Sequence, residues 1–487
     1  MRFFLILLLT LVVFSASAAF RFTPALEEAY FNILALKVDK GSQLIQEELR
    51  KDPQNGIAIY LENYADLIRL LITENKDTYH WLSGNENNRL EKISRLEKES
   101  PYYLFCQAEI KLQWAFIKLK FGEELSAAWS IRQAYKLLEQ NQKKFPEFLP
   151  NKKSLGLLHV LIGSVPEKYN WVINSAGMQG TVTEGLQELQ AVQNCNLPFS
   201  LESSLLLSMI HTYILKSGKE TLSGFERICQ TYPDNLLAHF VYASAAMKEG
   251  RSELALTVLQ GRPTGHGYLP LHLIAYRKGE IFLQKGQYEE AQKQYTLFLM
   301  NYKGQNFLKD TYYKLFLIQW LTNQPSPEQY LDDVLTIGQT VTEADKYAHK
   351  FAETKVLPHK SLMKSRLSFD GGYYPEAADA IGNFTESSFP QEKDKAEFNY
   401  RKARIFHKTE RITEAITHYE RTIQLSEEEQ YYFGANAALQ LGYIYQQQGQ
   451  LAQARKYYEK ALSYKKHEYK NSINNKAKAA LSELDTE

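Results

Sequence analysis

Apolar residues recur every three or four positions along nearly the whole chain, and alternation with a period of two is absent. The pattern breaks at proline and glycine, which end helices or begin turns. Residues 56–75 and 102–121 predict long, mostly buried helices. Residues 81–99 are polar, with many charges spaced four apart, and predict an exposed helix. The chain is therefore predicted to be all-α.

A second pattern places small and large residues at fixed offsets across pairs of helices. Its clearest copy runs from Ala438 to Ala461, with Gly442 and Ala454 where two helices would touch and Tyr458 filling the space between neighbouring pairs. A period of about 34 residues is typical of a helical solenoid. Further copies contain Ala29, Met209, Ala243, Gly279, Ser365 and Ala403.

These offsets resemble the tetratricopeptide repeat (TPR), a helix–turn–helix unit. The resemblance implies a right-handed α-solenoid of helical hairpins whose concave groove binds a protein or peptide partner. In that family, positions 2, 5, 9 and 12 of the first helix face the groove, where aromatic, amide and arginine side chains can hold an extended peptide. Ordinary solvation or packing between repeats is the alternative role for these positions. The candidate groove residues are Tyr276, Glu280, Tyr400, Arg404, His407, Asn436, Tyr443 and Gln446.

A less regular stretch combines an apolar helix with a turn that contains a serine and a proline, a glycine turn and a Gly-Leu helix. The residues that form it are Gly156, Ser164, Pro166, Gly177, Gly180, Gly185 and Leu186. In this respect residues 105–215 resemble the tetratricopeptide repeat protein 39 family, which includes the fungal inclusion body clearance protein. The resemblance implies a shared architecture and supplies no catalytic residues. With the apolar segment at 155–175, it leaves open an alternative function, the binding of a lipid or small apolar ligand by the N-terminal half.

The first residues predict an export signal. Arg2 precedes an almost wholly apolar run at 3–14, and the small residues at 15–19 suit cleavage by signal peptidase. Residues 1–19 are therefore predicted to be removed, which places the mature protein in the periplasm or outside the cell. An uncleaved anchor is the alternative, because the uncharged stretch is about as long as a bilayer span. No transmembrane span is expected after cleavage.

Three regions are predicted after this signal. Residues 20–200 form an irregular, TPR-like helical region, residues 201–345 contain central TPR-like repeats, and residues 346–487 contain C-terminal TPR repeats. A degenerate helix pair is expected at 307–340. A final helix at about 470–484 is expected to cap the exposed apolar face of the last repeat.

The charges are nearly balanced, with 57 Lys and Arg against 56 Asp and Glu and a formal net charge of +1. This balance gives no electrostatic basis for binding nucleic acid. The last repeat is nevertheless locally basic, which predicts either a solvated end cap or peripheral contact with an anionic membrane or acidic partner. The basic residues there are Arg455, Lys456, Lys460, Lys465, Lys466, Lys470, Lys476 and Lys478.

The pattern of chemically reactive residues points away from catalysis, because none stand at the spacing of a nucleotide-binding, catalytic or metal motif. His407 and His418 belong to facing helices of one unit, where packing is the commoner role. Cys106, Cys195 and Cys229 fit neither a disulfide framework nor a zinc motif. The sequence thus predicts no catalytic, cofactor-binding or metal residues, and it favours an exported, non-catalytic scaffold for protein–protein interaction.

Overall fold

The computed structural model describes residues 19–165, 177–215, 220–325, 327–427 and 431–484. These residues form helices and connecting turns, and no β-strand occurs among them. The predicted all-α solenoid class is confirmed. The predicted export signal, apart from Ala19, and Pro166 of the predicted turn lie outside the described residues.

The N-terminal region consists of α1 (Pro24–Leu34), α2 (Val38–Lys51), α3 (Gly56–Thr73), α4 (Lys76–Leu82), α5 (Asn85–Ser94), α6 (Pro101–Lys120), α7 (Glu124–Lys144), α8 (Pro150–Gly163) and α9 (Val182–Gln193). The central region consists of α10 (Ser200–Ile210), α11 (Glu220–Thr231), α12 (Leu236–Lys248), α13 (Ser252–Gln260), α14 (Leu273–Gln284), α15 (Tyr288–Asn301), α16 (Leu308–Leu321) and α17 (Gln329–Thr336). The C-terminal region consists of α18 (Glu343–Thr354), α19 (Lys360–Gly371), α20 (Tyr374–Gly382), α21 (Glu392–Lys408), α22 (Ile412–Leu425), α23 (Tyr432–Gln447), α24 (Leu451–Ser463) and α25 (Lys470–Leu484).

Paired helices pack closely where a glycine of one meets a tyrosine of the other. A Cβ on Gly442 in α23 would lie 2.3 Å from Cε1 of Tyr458 in α24. A Cβ on Gly279 in α14 would lie 2.7 Å from Cε1 of Tyr295 in α15. Both tyrosines are fully buried, so a larger residue at either glycine collides with a ring that has no room to move. The predicted alternation of small and large residues is therefore the contact that closes each hairpin.

Glycines in the left-handed region make the tight turns inside the hairpins. The φ angle is +78° at Gly286, between α14 and α15, and +71° at Gly449, between α23 and α24. L-residues with a side chain rarely adopt this conformation, whereas glycine does so at little cost. These turns bring the second helix back antiparallel to the first.

The stretch predicted as an exposed helix at 81–99 is helical and mostly exposed, but it is not one helix. It is divided between the end of α4 and α5, and Arg89 and Ile93 of α5 are buried. Arg89 Nη1 donates to Asp66 Oδ2 at 2.6 Å and to Asn63 Oδ1 at 3.0 Å, both on α3. Most of the other side chains at 81–99 are exposed, as predicted, and Arg89 is an exception because an arginine with partners on another helix can be buried in a polar sequence.

The degenerate pair expected at 307–340 corresponds to α16 and α17, and the repeat offsets did not predict the helix that follows. This helix, α18, packs against both members of the pair. Its Phe351 ring lies with its centroid 4.8 Å from that of Tyr313 and 5.6 Å from that of Phe316, both on α16. The solenoid therefore contains a three-helix group at this point in place of a hairpin.

The solenoid also turns back on itself, so that residues far apart in the sequence touch. Asn306 Nδ2 donates to Glu74 Oε2 at 2.6 Å and to the carbonyl oxygen of Lys120 at 3.2 Å. One hydrophobic core accordingly extends from Phe20 to Ile318, and further apolar clusters lie toward the C-terminus. The N-terminal and central helices thus share one core.

The structure also bears on the three cysteines and on the expectation that no transmembrane span follows the signal. Cys106 is buried, and Cys106, Cys195 and Cys229 are all free thiols. Within the ranges that the structure describes, no helix is both long enough and apolar enough to cross a bilayer. The last helix, α25, lies against α23 and α24 through Ile473 and Ala477.

Candidate functional site

Two of the candidate groove residues, Tyr276 and Tyr400, are buried between repeats. The Tyr276 hydroxyl donates to Asp310 Oδ2 at 2.5 Å, and the Tyr400 hydroxyl accepts from Asn436 Nδ2 at 2.6 Å. Each bond joins α14 to α16 or α21 to α23, the first helices of successive units. These tyrosines and Asn436 thus hold neighbouring repeats in register. Peptide binding by the candidate set stays a prediction.

Glu280 lies at the centre of a charged cluster on α14 and α16. Its Oε1 accepts from Lys314 Nζ at 2.6 Å, and its Oε2 accepts from Arg277 Nη1 at 2.6 Å. Lys314 also pairs with Asp310 at 2.7 Å. Burial opposes the ionisation of Glu280, but Lys314 and Arg277 outweigh it and hold its pKa at about 2. Glu280 is therefore a fixed anion in the contact between repeats.

Arg404 and His407 lie on α21 and remain partly exposed. The Arg404 guanidinium lies 3.9 Å from the ring centroid of Phe369 and 3.5 Å from Asp370, both on α19. His407 Nδ1 is 3.4 Å from the hydroxyl of Tyr419, and burial lowers the pKa of His407. A neutral imidazole and a stacked guanidinium are thus available on this face of α21.

The remaining candidates, Tyr443 and Gln446, lie on α23 and contact α24, the second helix of the last repeat. Tyr443 packs edge-on against Tyr458, whose hydroxyl donates to Gln446. His418 Nδ1 lies 2.8 Å from Asn399 Oδ1, and the described residues offer no group of metal ligands that contains His418. The structure therefore spreads the candidate residues along the array and does not gather them around one cavity.

A cavity of about 350 Å³ opens where α18 and α19 approach the start of α23 and the turn between α24 and α25. Its apolar part includes the buried side chains of Phe351, Met363 and Phe433. Tyr347 and Tyr432 line it with aromatic rings. We call this cavity the arginine pocket, because a guanidinium lies in its wall.

Basic side chains outnumber acidic ones around the arginine pocket. Arg366 Nη1 donates to the Tyr347 hydroxyl at 3.2 Å, its Nε lies 3.8 Å from Asp370 Oδ2, and its side chain stays partly exposed. Lys350 Nζ lies 3.6 Å from Glu468 Oε1. Glu397 is neutralised by the buried Arg401, whose Nη2 donates to Glu397 Oε1 at 2.6 Å. Its charged lining residues are Lys350, Arg366, Lys393, Lys466, Glu397 and Glu468. The pocket is therefore suited to an occupant with negative charge.

A second group of polar side chains lies between α8 and α9. His159 Nδ1 is 2.7 Å from Glu188 Oε2 and 3.8 Å from Glu184 Oε1. Burial disfavours the charged imidazolium, yet Glu188 and Glu184 outweigh burial and raise the pKa of His159. Among the described residues, this is the group in which at least three His, Cys, Asp or Glu side chains bring ligand atoms close enough to share an ion.

A buried lysine organises the core of the N-terminal half. Lys153 Nζ lies 2.7 Å from Glu109 Oε2 and 3.0 Å from Glu202 Oε2. Ser154 donates to Glu109, and Tyr30 donates to Glu202. Burial disfavours the ammonium, but Glu109 and Glu202 outweigh it and raise the pKa of Lys153. The lysine stays charged and joins α6, α8 and α10, so its role is structural.

Two family models match parts of the chain, and both are described as tetratricopeptide repeat. One matches residues 274–300, within α14 and α15, and the other matches residues 394–466, from α21 to the turn after α24. The chain carries tetratricopeptide repeats. The second TPR match includes α21 and α23, which both contribute side chains to the arginine pocket.

The chain was also compared with curated proteins and with solved structures. None of the curated proteins searched matches the chain. A solved structure described as "Structure of Naa15/Naa10 bound to HypK-THB" is similar over 94% of this chain and 65% of that chain, at 15% sequence identity and a TM-score of 0.25. No finding supports the resemblance to the tetratricopeptide repeat protein 39 family or the alternative of lipid binding, and the former stays a prediction.

Sequence reasoning missed the arginine pocket and the group around His159 for different reasons. The pocket side chains come from α18, α19, α21, the start of α23 and the turn after α24, at positions that the repeat offsets do not mark. Glu184 and Glu188 are spaced four apart, which places them on one face of a helix and was a usable signal. His159 stands on the preceding helix, and only the pairing of α8 with α9 shows that it faces them.

Proposed function

We propose that this TPR protein is a non-catalytic scaffold that binds a segment of a partner protein in the arginine pocket. The observation that carries the proposal is the pocket itself, because α21 and α23 of the matched TPR region and the adjacent α18 and α19 all contribute to it. Packed helical repeats form such a cavity before a partner arrives. Little conformational order is therefore lost on binding.

The chemistry of the arginine pocket favours an acidic segment that carries an aromatic or apolar side chain. Phe351 and Phe433 offer apolar surface to such a side chain. Arg366 can hold a carboxylate through two parallel hydrogen bonds, which a lysine cannot do. His467 also lines the cavity, and its Nε2 is buried without a hydrogen-bond partner among the described residues. A polar group of the partner would satisfy that nitrogen.

A photo-crosslinking amino acid at Val356 tests this proposal, because Val356 lines the pocket, is exposed and carries no charge. Thr417 on α22 is exposed and absent from the pocket lining, and it serves as the control position. We expect crosslinks from position 356 to an acidic segment of a defined partner, identified by mass spectrometry, and none from position 417. Arg366→Ala should reduce that yield. Equal crosslinking at both positions, or a yield that Arg366→Ala leaves unchanged, would contradict the proposal.

The site of action is proposed to lie outside the cytoplasm. Arg2, the apolar run at 3–14 and the small residues at 15–19 support export with cleavage. We expect N-terminal sequencing of the protein from the exported fraction to begin at Phe20. A mature chain that begins at Met1 and stays in the cytoplasm would contradict export, and it would leave the binding proposal untouched.

A further inference from the structure

We propose that His159, Glu184 and Glu188 bind one zinc ion between α8 and α9. The imidazole Nδ1 and one carboxylate oxygen of each glutamate lie within 4.8 Å of one another. In a tetrahedral zinc site, bonds of about 2.0–2.2 Å place the ligand atoms roughly 3.3 Å apart. The separations from Nδ1, 2.7 Å to Glu188 and 3.8 Å to Glu184, fall on either side of that distance. Small rotations of the two glutamate side chains would therefore complete the site.

The three side chains combine a buried ligand with an open approach. The His159 side chain is 6% exposed, whereas that of Glu184 is 53% exposed. The buried side of the site is held in place by packing, and the open side lets an ion enter from solvent. It also leaves room for water as the fourth ligand, as in zinc sites with three protein ligands.

The backbones of α8 and α9 touch, and this contact fixes the histidine against the glutamates. A Cβ on Gly185 would lie 2.4 Å from the carbonyl oxygen of Gly156, and a Cβ on Gly180 would lie 2.7 Å from Cα of His159. No side chain separates the two segments at these points. A site built on two such helices is held close to its binding geometry before the ion arrives.

Negative charge exceeds positive charge around the histidine. Glu184 and Glu188 are four residues apart on α9, an arrangement in which like charges repel each other. From α7, Glu139 adds negative charge, and Tyr135 sets its ring centroid 6.1 Å from that of His159. A divalent cation relieves this excess. A proton on His159 relieves part of it, so a simple ion pair is the competing explanation that an experiment must separate.

The ligand atoms favour zinc over calcium, magnesium and copper(I). Calcium and magnesium prefer sites made of oxygen atoms alone, and copper(I) prefers thiolate or thioether sulfur. One imidazole nitrogen with two carboxylates suits zinc. Binding requires that Nδ1 be free of hydrogen, so the bound imidazole carries its hydrogen on Nε2. The site lies apart from the arginine pocket and does not depend on the proposed function.

Isothermal titration of the untagged full-length protein with zinc tests the proposal. We expect one ion per chain, and no binding of calcium at the same concentrations. Glu184→Gln removes one ligand from an exposed side chain, so the variant should fold, which circular dichroism checks. Its zinc affinity should fall by at least about 10-fold. Mutating residues that merely hydrogen-bond to metal ligands already lowers affinity by about that factor, and Glu184 is itself a ligand. Glu139→Gln is the matched control, because it removes the same charge near the same histidine but no ligand, and it should weaken zinc binding much less than Glu184→Gln does.

Three outcomes would overturn the proposal. The wild-type protein could take up no zinc, which would leave His159 and Glu188 as an ion pair. Glu184→Gln could bind zinc as tightly as the wild type, which would place the ion elsewhere. Glu139→Gln and Glu184→Gln could weaken binding equally, which would show a general effect of negative charge. Zinc that raises the melting temperature of the wild type and of Glu139→Gln, but not of Glu184→Gln, would support the site.

Discussion

Replacing Glu280 with glutamine should destabilise the contact between α14 and α16. The Glu280 side chain is 15% exposed, and it binds Lys314 and Arg277 at 2.6 Å each. Its pKa is lowered from 4.5 to about 2, because the two cations outweigh the opposing effect of burial. One unit of pKa corresponds to about 1.4 kcal/mol, so the carboxylate contributes roughly 3 kcal/mol at neutral pH.

The sign of the pH dependence follows from the direction of the shift. A lowered pKa stabilises the folded state above the unfolded value near 4.5, and this contribution is lost as the pH falls toward 2. The glutamine side chain in Glu280→Gln is uncharged at every pH, so this variant lacks the pH-dependent contribution. The difference in stability between the wild type and Glu280→Gln should therefore be full at pH 7, begin to shrink below about pH 4.5, and be nearly gone at about pH 2.

Hydrogen exchange measured by mass spectrometry is the suitable assay, because a repeat array opens in segments. Peptides from α14 and α16 should exchange faster in Glu280→Gln than in the wild type at pH 7, after correction for intrinsic rates. Glu290→Gln in α15 is the control, since Glu290 is 47% exposed and pairs with an exposed lysine. That pair should contribute little. Equal effects of the two substitutions, or a Glu280→Gln effect of the same size at pH 7 and pH 3, would refute the reasoning.

Three other substitutions test the packing. Gly442→Ala places a Cβ 2.3 Å from a Tyr458 ring atom and should cost about 1–3 kcal/mol, seen as faster exchange in α23 and α24. Asn306→Ala removes the 2.6 Å bond to Glu74 and should cost about 1–3 kcal/mol, with faster exchange on both sides of this contact. Lys153→Met leaves the buried Glu109 and the partly buried Glu202 without their shared cation and should cost about 3–5 kcal/mol at neutral pH, with a lower urea midpoint. Hydrogen exchange that is unchanged in Gly442→Ala or Asn306→Ala would contradict the role given to that contact. An unchanged urea midpoint in Lys153→Met would do the same for the buried lysine.

Most helices could be predicted from the sequence, because the spacing of apolar residues within a helix is a local property that needs no knowledge of the other helices. The final helix was expected at about 470–484 and spans Lys470–Leu484. The same reasoning did not predict the burial of Arg89 within 81–99, because its partners on α3 lie 23 and 26 residues earlier in the sequence. Charge spacing within a helix indicates exposure only where no other helix supplies a partner. The contact of Asn306 with Glu74 spans 232 residues and depends on the curvature of the whole array, which local patterns do not contain.

The candidate site was only partly predictable, because repeat offsets define which face of a helix a residue occupies but not what covers it. Tyr276 and Tyr400 stand on the face predicted for the groove, and the next unit covers each of them through Asp310 and Asn436. The arginine pocket depends on where α18 stands relative to α23. The offsets did not predict α18, so they could not predict the pocket that it helps to form.

A partner segment bound in the arginine pocket, as proposed above, would affect the structure beyond simple attachment. Phe351 and Met363 belong to an apolar cluster that includes α16 and α18, whereas Phe433 belongs to the separate cluster of the last repeats. In a solenoid, stability is roughly the sum of each unit and its contacts with neighbours, so a weak boundary between clusters is where the array opens. A segment bound in the pocket touches both clusters and adds contacts across that boundary. Binding should therefore make α18 and α23 unfold locally as one unit. A partner would then stabilise the same part of the array that it recognises.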